Sequence, residues 1–118
     1  MGVFRFESLE IWQRGAALSI RMFEISDRLD ELRKYRFAEQ LRAAALSITN
    51  NIAEGSGSAS DPDFRNFLNF SRRSVFECAN MITLFAKYDY VPAEHASLLL
   101  SELDQLSRMI TAFRKSLS

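Results

Sequence analysis

The chain has 118 residues, which suits one domain with its own hydrophobic core and no need of disulfide or metal staples. Hydrophobic residues make up 47% and charged residues 25%, which excludes a disordered chain. Fifteen Lys plus Arg against 15 Asp plus Glu leave zero formal net charge, so only a local basic patch could attract nucleic acid or anionic lipid strongly.

Four segments carry helical period and none alternates as a strand does, so the expected fold is all-α, an antiparallel up-and-down four-helix bundle in one domain over residues 1–118. The first helix is predicted at about 9–29, with Ser8 as its N-cap. Its seam is Ile11, Gly15, Leu18, Met22, Ile25 and Leu29, flanked by a strip of Trp12, Ala16 and Phe23. The second is predicted at about 37–54, burying Leu41, Ala44, Ala45, Ile48 and Ile52, with Gly55 just past its end as the residue that stops it. Gly55 to Ser60 is the only stretch that reads as a loop by composition.

The third helix is predicted at about 61–88, opened by Ser60 and Asp63 in the manner of a capping box and by Pro62 where a missing N–H costs nothing. Its seam is Phe64, Leu68, Ser71, Val75, Cys78, Ile82 and Phe85. The fourth is predicted at about 92–117, starting near Pro92, with Leu99, Leu103, Leu106, Ile110, Phe113 and Leu117 inward. Phe67, Phe70, Met81 and Leu84 lie beside the third seam. That surplus of apolar face reads as a subunit interface, or else as a broad stripe buried in one core.

Helix 2 carries a second, polar strip. Gln40, Ser47, Asn51 and Glu54 step by seven, four and three, which places them on one face beside the alanines. Such a strip lines a recognition or catalytic groove, or forms a hydrogen-bonded layer with Ser74, Glu77, Arg72 or Arg73 of helix 3. The layer is the preferred reading. Glu54 and Glu77 would be the acid–base pair of an enzyme only if the fold brought them together.

Other chemistry is thinly represented. A di-iron bundle needs Glu-x-x-His motifs, and the lone histidine, His95, follows Pro92 by three. No metal and no cofactor are expected. One His also leaves no Ser/His/Asp or Cys/His arrangement as usually built, and Cys78 holds a seam position that suits a buried, inert thiol. Gly55-Ser56-Gly57 lacks the lysine and the preceding strand of a phosphate-binding loop. Arg14, Arg21 and Arg28, seven apart, form a row that could track phosphates, with Arg42, Arg72 and Arg73 adding positive charge elsewhere. Glu10, Glu24 and Glu31 stand three or four residues from the row, the spacing of a salt-bridged, solvated face, and that reading is preferred.

Cys78 cannot form an internal disulfide, which fits a reducing compartment. The first ten residues hold no apolar run of signal-peptide length, and no stretch approaches the roughly 20 apolar residues of a membrane span. A cytoplasmic protein without membrane contact is the expectation.

Several stretches together resemble a known family. They are Phe6-Glu7-Ser8-Leu9-Glu10-Ile11-Trp12-Gln13, then Gln40 through Gly55 with its Ser47-Ile48-Thr49-Asn50-Asn51-Ile52-Ala53-Glu54-Gly55 run, then Phe64-Arg65-Asn66-Phe67-Leu68, Ser74 and Glu77. This is similar to the four-helix bundle proteins first noticed as reading frames within intervening sequences of bacterial 23S ribosomal RNA genes. The resemblance spans nearly the whole chain. It implies a bacterial, intracellular homopentamer with a central opening and no catalytic residues. A similar fold occurs in the accessory protein of diversity-generating retroelements, a pentamer that binds nucleic acid and a reverse transcriptase. This chain departs from the family pattern at Ala43, where many members carry a second arginine, at Ser58 and Ala59, where loop cations are common, and at Arg73, in place of a glycine.

The reading that results is a non-enzymatic, homo-oligomeric bundle, pentameric by resemblance, which acts by binding nucleic acid or a nucleic-acid enzyme. Arg14, Arg21, Arg28, Arg42, Arg72 and Arg73 are the candidate contacts. The rival is a protein-interaction scaffold with no nucleic-acid role, motivated by the zero net charge and the surplus apolar face.

Overall fold

The four periodic segments fold as four helices in a computed structural model that describes residues 2–117. After a 3₁₀ turn at Arg5–Ser8 come α1 (Glu10–Glu31), α2 (Tyr35–Ser56), α3 (Asp61–Lys87) and α4 (Ala93–Ser116), with no strand among the described residues. Short turns join them, so sequence neighbours pack antiparallel and α4 closes the square against α1. The bundle measures 44 × 24 × 23 Å, its long axis close to the roughly 40 Å of a 27-residue helix.

The apolar seams became the core. Leu18, Met22 and Leu29 of α1, Leu41, Ile48 and Ile52 of α2, Leu68 and Ile82 of α3, and Leu103, Leu106 and Ile110 of α4 are all buried. Each such side chain contributes roughly 1.5–3 kcal/mol by leaving water. Five serines join them inside, and their hydroxyls find backbone acceptors. Two of these bonds cross between helices and both end on α2. Ser19 Oγ donates to the Ala45 carbonyl at 3.2 Å, and Ser71 Oγ to the Ile48 carbonyl at 2.7 Å. Ala44 and Ala45 are small enough to let both neighbours come that close.

Three expectations about helix ends are corrected. Ser8 does not cap α1: Leu9 holds the cap position, and Ser8 Oγ donates back to the Arg5 carbonyl at 2.9 Å within the 3₁₀ turn. Gly55 does not end α2. It is buried inside the last turn, and the cap falls at Gly57. A Cβ at Gly55 would stand 2.7 Å from both Phe64 Cδ1 and Phe67 Cβ, so glycine is there to let α3 approach. The α1–α2 turn is also tighter than the spacing suggested, so α1 runs on to Glu31 and α2 begins at Tyr35. At the α2–α3 connection Ser60 caps α3 as expected, accepting from the Asp63 N–H at 3.3 Å.

Both turns at one end of the bundle are built alike. Arg33 and Asp89 each adopt φ of 62°, the left-handed conformation usually given to glycine after a helix. Lys34 N–H then reaches the Leu29 carbonyl and Tyr90 N–H the Phe85 carbonyl, both at 2.8 Å.

Candidate functional site

The polar strip of α2 divides. Ser47 and Asn51 are half-buried and meet Ser74, which α3 supplies from the other side of the seam. Asn51 Nδ2 donates to the Ser47 carbonyl at 2.8 Å and to Ser47 Oγ at 3.0 Å. Ser74 Oγ donates to Ser47 Oγ at 2.8 Å, with the Phe70 carbonyl at 3.2 Å as its other acceptor. A hydroxyl holds one proton, so the two serines form a short chain that can run in either direction. Neither hydroxyl is bonded to a carboxylate or an imidazole. Beside this trio, Phe70, Arg73 and Glu77 complete the lining of an open groove of about 470 Å³. Gln40 and Glu54 are exposed, towards opposite ends of α2, and lie outside the network.

The arginine row is held mostly by α4. Arg14 Nη1 donates to Gln105 Oε1 at 2.9 Å, and Arg21 pairs with Glu102. The glutamates at helical spacing, Glu10 and Glu24, take neither role, because Arg14 and Arg21 face the α1–α4 seam, where a partner helix lies within reach. Arg28, near the end of α1, is exposed. Arg42 bridges α2 to α1 through Asp27 at 2.7 Å and Asp30 at 2.6 Å, and these carboxylates, Asp30 foremost, push its pKa above the usual arginine value. Arg72 lies over the Phe76 ring at 5.0 Å, with its Nε buried and without a hydrogen-bond partner. Arg73 is exposed at the groove. The six arginines therefore do not share one surface.

Cys78 sits fully buried, and desolvation, with the Glu77 charge adding to it, pushes its thiol up to about 12. A thiol so raised holds little thiolate near neutral pH. His95 is exposed early in α4, and no group of three or more His, Cys, Asp or Glu among the described residues could hold a metal ion.

The end with the two left-handed turns carries a cluster that the helical patterns did not single out. Tyr88 and Tyr90 stack with ring centroids 5.9 Å apart, Phe37 packs against Tyr90 at 6.3 Å and against buried Phe85 at 5.4 Å, and Lys34 lies over Tyr90 at 5.5 Å. Arg33 to Phe37 line an open depression of about 510 Å³. The signal available in sequence was the run Arg33-Lys34-Tyr35-Arg36-Phe37, cations and aromatics in alternation. Its other half, Lys87 to Tyr90, lies some fifty positions away and joins it only in the folded chain.

With the bundle and these surfaces described, the chain can be placed among known proteins. The family model for the 23S rRNA-intervening sequence protein matches residues 7–112. The chain belongs to that family. An intervening sequence protein is thus expected to share its fold with other members, and a solved structure agrees. A protein of unknown function from the S23 ribosomal protein family of Bacteroides thetaiotaomicron matches with a TM-score of 0.84, covering 90% of this chain and 99% of that one. Sequence identity is 19%, so the likeness shows the four-helix fold alone. No curated protein matches the sequence. Among the described residues, no helix is long and apolar enough to cross a membrane.

Proposed function

We propose that this intervening sequence protein is a non-enzymatic, cytoplasmic binding module that assembles with copies of itself and takes nucleic acid, or an enzyme acting on it, as its partner. One observation carries the self-association. The core is complete without Phe70, Phe76 and Leu84 of α3, yet these large side chains stand 47%, 55% and 45% exposed along the helix. Apolar area left on a finished bundle is commonly covered by another subunit. Five copies follow from the family resemblance. The absence of an acid or base on the Ser47–Ser74 pair supports a binding role over a catalytic one.

Light scattering of the purified protein tests the assembly. The expected mass is about five times the 13.5 kDa chain, and Phe70→Asp with Leu84→Asp should reduce it towards one. A wild-type monomer at micromolar concentration would end the self-association reading. Titration of labelled RNA and DNA across salt tests the partner, since phosphate contacts weaken linearly on a log–log plot.

A specific observation favours a second reading, a scaffold for another protein. Of the six candidate arginines, Arg14, Arg21 and Arg42 are already engaged by polar groups of the same chain and Arg72 lies over Phe76, which leaves Arg28 and Arg73 as the exposed ones without an ion pair among the described residues. Recovery of one protein partner after nuclease treatment would support it, and recovery only with nucleic acid present would count against it.

A further inference from the structure

Four cations stand close together at one end of the bundle. Residues 31–37 and 87–90 contain four, Arg33, Lys34, Arg36 and Lys87, against two carboxylates, Glu31 and Asp89. None of these four takes part in an ion pair among the described residues, unlike Arg21 and Arg42 on the helix faces. The same eleven positions hold four aromatic rings. Tyr88 is 72% exposed and Tyr35 59%, and Tyr88 is braced from behind by its stack on Tyr90. Flat rings open to solvent and interleaved with unpaired cations are the two components of a surface for single strands: bases stack on the rings whatever their identity, and phosphates meet the cations. A duplex hides its base faces and can use only the cations.

The backbone strengthens the case. Arg33 occupies a left-handed position where glycine would be least strained, so the fold carries an arginine side chain there at a conformational cost. Lys34, at the cap of α2, and Tyr35 to Phe37, in its first turn, line one depression together with Arg33.

We propose that this end of the bundle, the α1–α2 and α3–α4 turns together, binds single-stranded nucleic acid, with unstacked bases on Tyr35 and Tyr88 and phosphates on Arg33, Lys34 and Arg36. The inference rests on the nucleic-acid reading above and gives it a place and a strand type. In an assembled ring each copy contributes one such end, so a long strand can be held at several points at once.

Fluorescence anisotropy of the full chain with a labelled oligouridylate of about a dozen nucleotides, and with an RNA hairpin of equal phosphate number, tests it. The wild type should bind the single strand more tightly. Tyr35→Ala with Tyr88→Ala should weaken that binding by at least about tenfold without changing the salt slope, and Tyr35→Phe with Tyr88→Phe should restore it. Arg33→Gly should lower the salt slope by about 0.7 while the protein melts no lower than wild type, since the left-handed strain is relieved. Ultraviolet cross-links from bound oligouridylate should map to Tyr35 or Tyr88. If the single strand binds but these variants bind like wild type, the site lies elsewhere and this inference falls while the nucleic-acid reading stands. Tighter binding of the hairpin overturns the strand preference. No binding of either probe at low salt overturns both readings together.

Discussion

The α2–α3 and α1–α4 seams join neighbouring helices of one bundle by opposite means. Across α2–α3 the sequence places small groups, Ala44, Ser47, Gly55, Ser71 and Ser74, and the helices approach until hydroxyls reach carbonyls and Gly55 touches Phe64 and Phe67. Across α1–α4 it places long polar side chains, and the bonds are made at the rim, Arg14 to Gln105 and Arg21 to Glu102. Close approach gains dispersion contacts and dry hydrogen bonds, whereas rim bridges work in water and against side-chain entropy. The α2–α3 pair should therefore be the rigid half of the molecule, and the following substitutions probe that difference.

The largest effect is expected at Gly55. Gly55→Leu would drive a branched side chain into Phe64 and Phe67 and should cost about 3 kcal/mol or more in chemical denaturation. Gly55→Ala sets two effects against each other, because alanine gains about 1 kcal/mol in helix propensity and its Cβ meets ring and Cβ atoms at 2.7 Å. The clash should win, and a stabilised Gly55→Ala would show that the helices stand further apart.

Next comes the dryness of the core around α3. The thiol of Cys78 ordinarily ionises near 9.0 and is pushed up to about 12 in the fold. Between those values the unfolded chain has lost a proton that the folded chain keeps, so stability is intact below about pH 9 and falls as pH rises, by ~1.4 kcal/mol per unit from this group. Denaturation of Cys78→Ala at several alkaline pH values should show a shallower decline than wild type. Equal slopes would mean that water reaches the thiol.

A smaller loss, about 1–3 kcal/mol, is expected for Asn51→Leu, which takes a donor from Ser47 and leaves part of the Ser47–Ser74 chain unsupported. A neutral thermal shift would show that water replaces the amide at no cost. The smallest effect belongs to the other seam. Arg21 and Glu102 are 39% and 40% exposed, so Arg21→Ala should cost under about 1 kcal/mol and less still in high salt. A loss well above that would put the α1–α4 seam on an equal footing with α2–α3.

The seams were legible in the sequence because burial on a helix repeats with a period that a linear string records, and Leu41 to Ile52 or Phe64 to Phe85 could be read off it. The polar strip was legible in its middle only. Ser47, Asn51 and Ser74 meet between α2 and α3, while Gln40 and Glu54, assigned to the same strip by their spacing, are exposed and bond to none of the three. The partners of the arginine row were hidden, since spacing within α1 names Glu10 and Glu24 but says nothing of Glu102 and Gln105 on α4. The role of Gly55 was hidden for a similar reason: a glycine near a helix end looks the same whether it stops the helix or admits a neighbour. The aromatic and basic end was the least visible, being assembled from two turns that meet only once the chain has doubled back twice.

The paired left-handed turns at Arg33 and Asp89 have a kinetic consequence. Each closes a helical hairpin from residues near in sequence, and the first hairpin already owns its clasps in Arg42 with Asp27 and Asp30 and in Ser19 with the Ala45 carbonyl. Local contacts form with little loop entropy to overcome, so folding is expected to be fast for a chain of this length. During synthesis α1 and α2 can pair before α3 has left the ribosome. The apolar side of α2 then waits for α3, and that interval is when the growing chain is most exposed to pairing with the wrong neighbour.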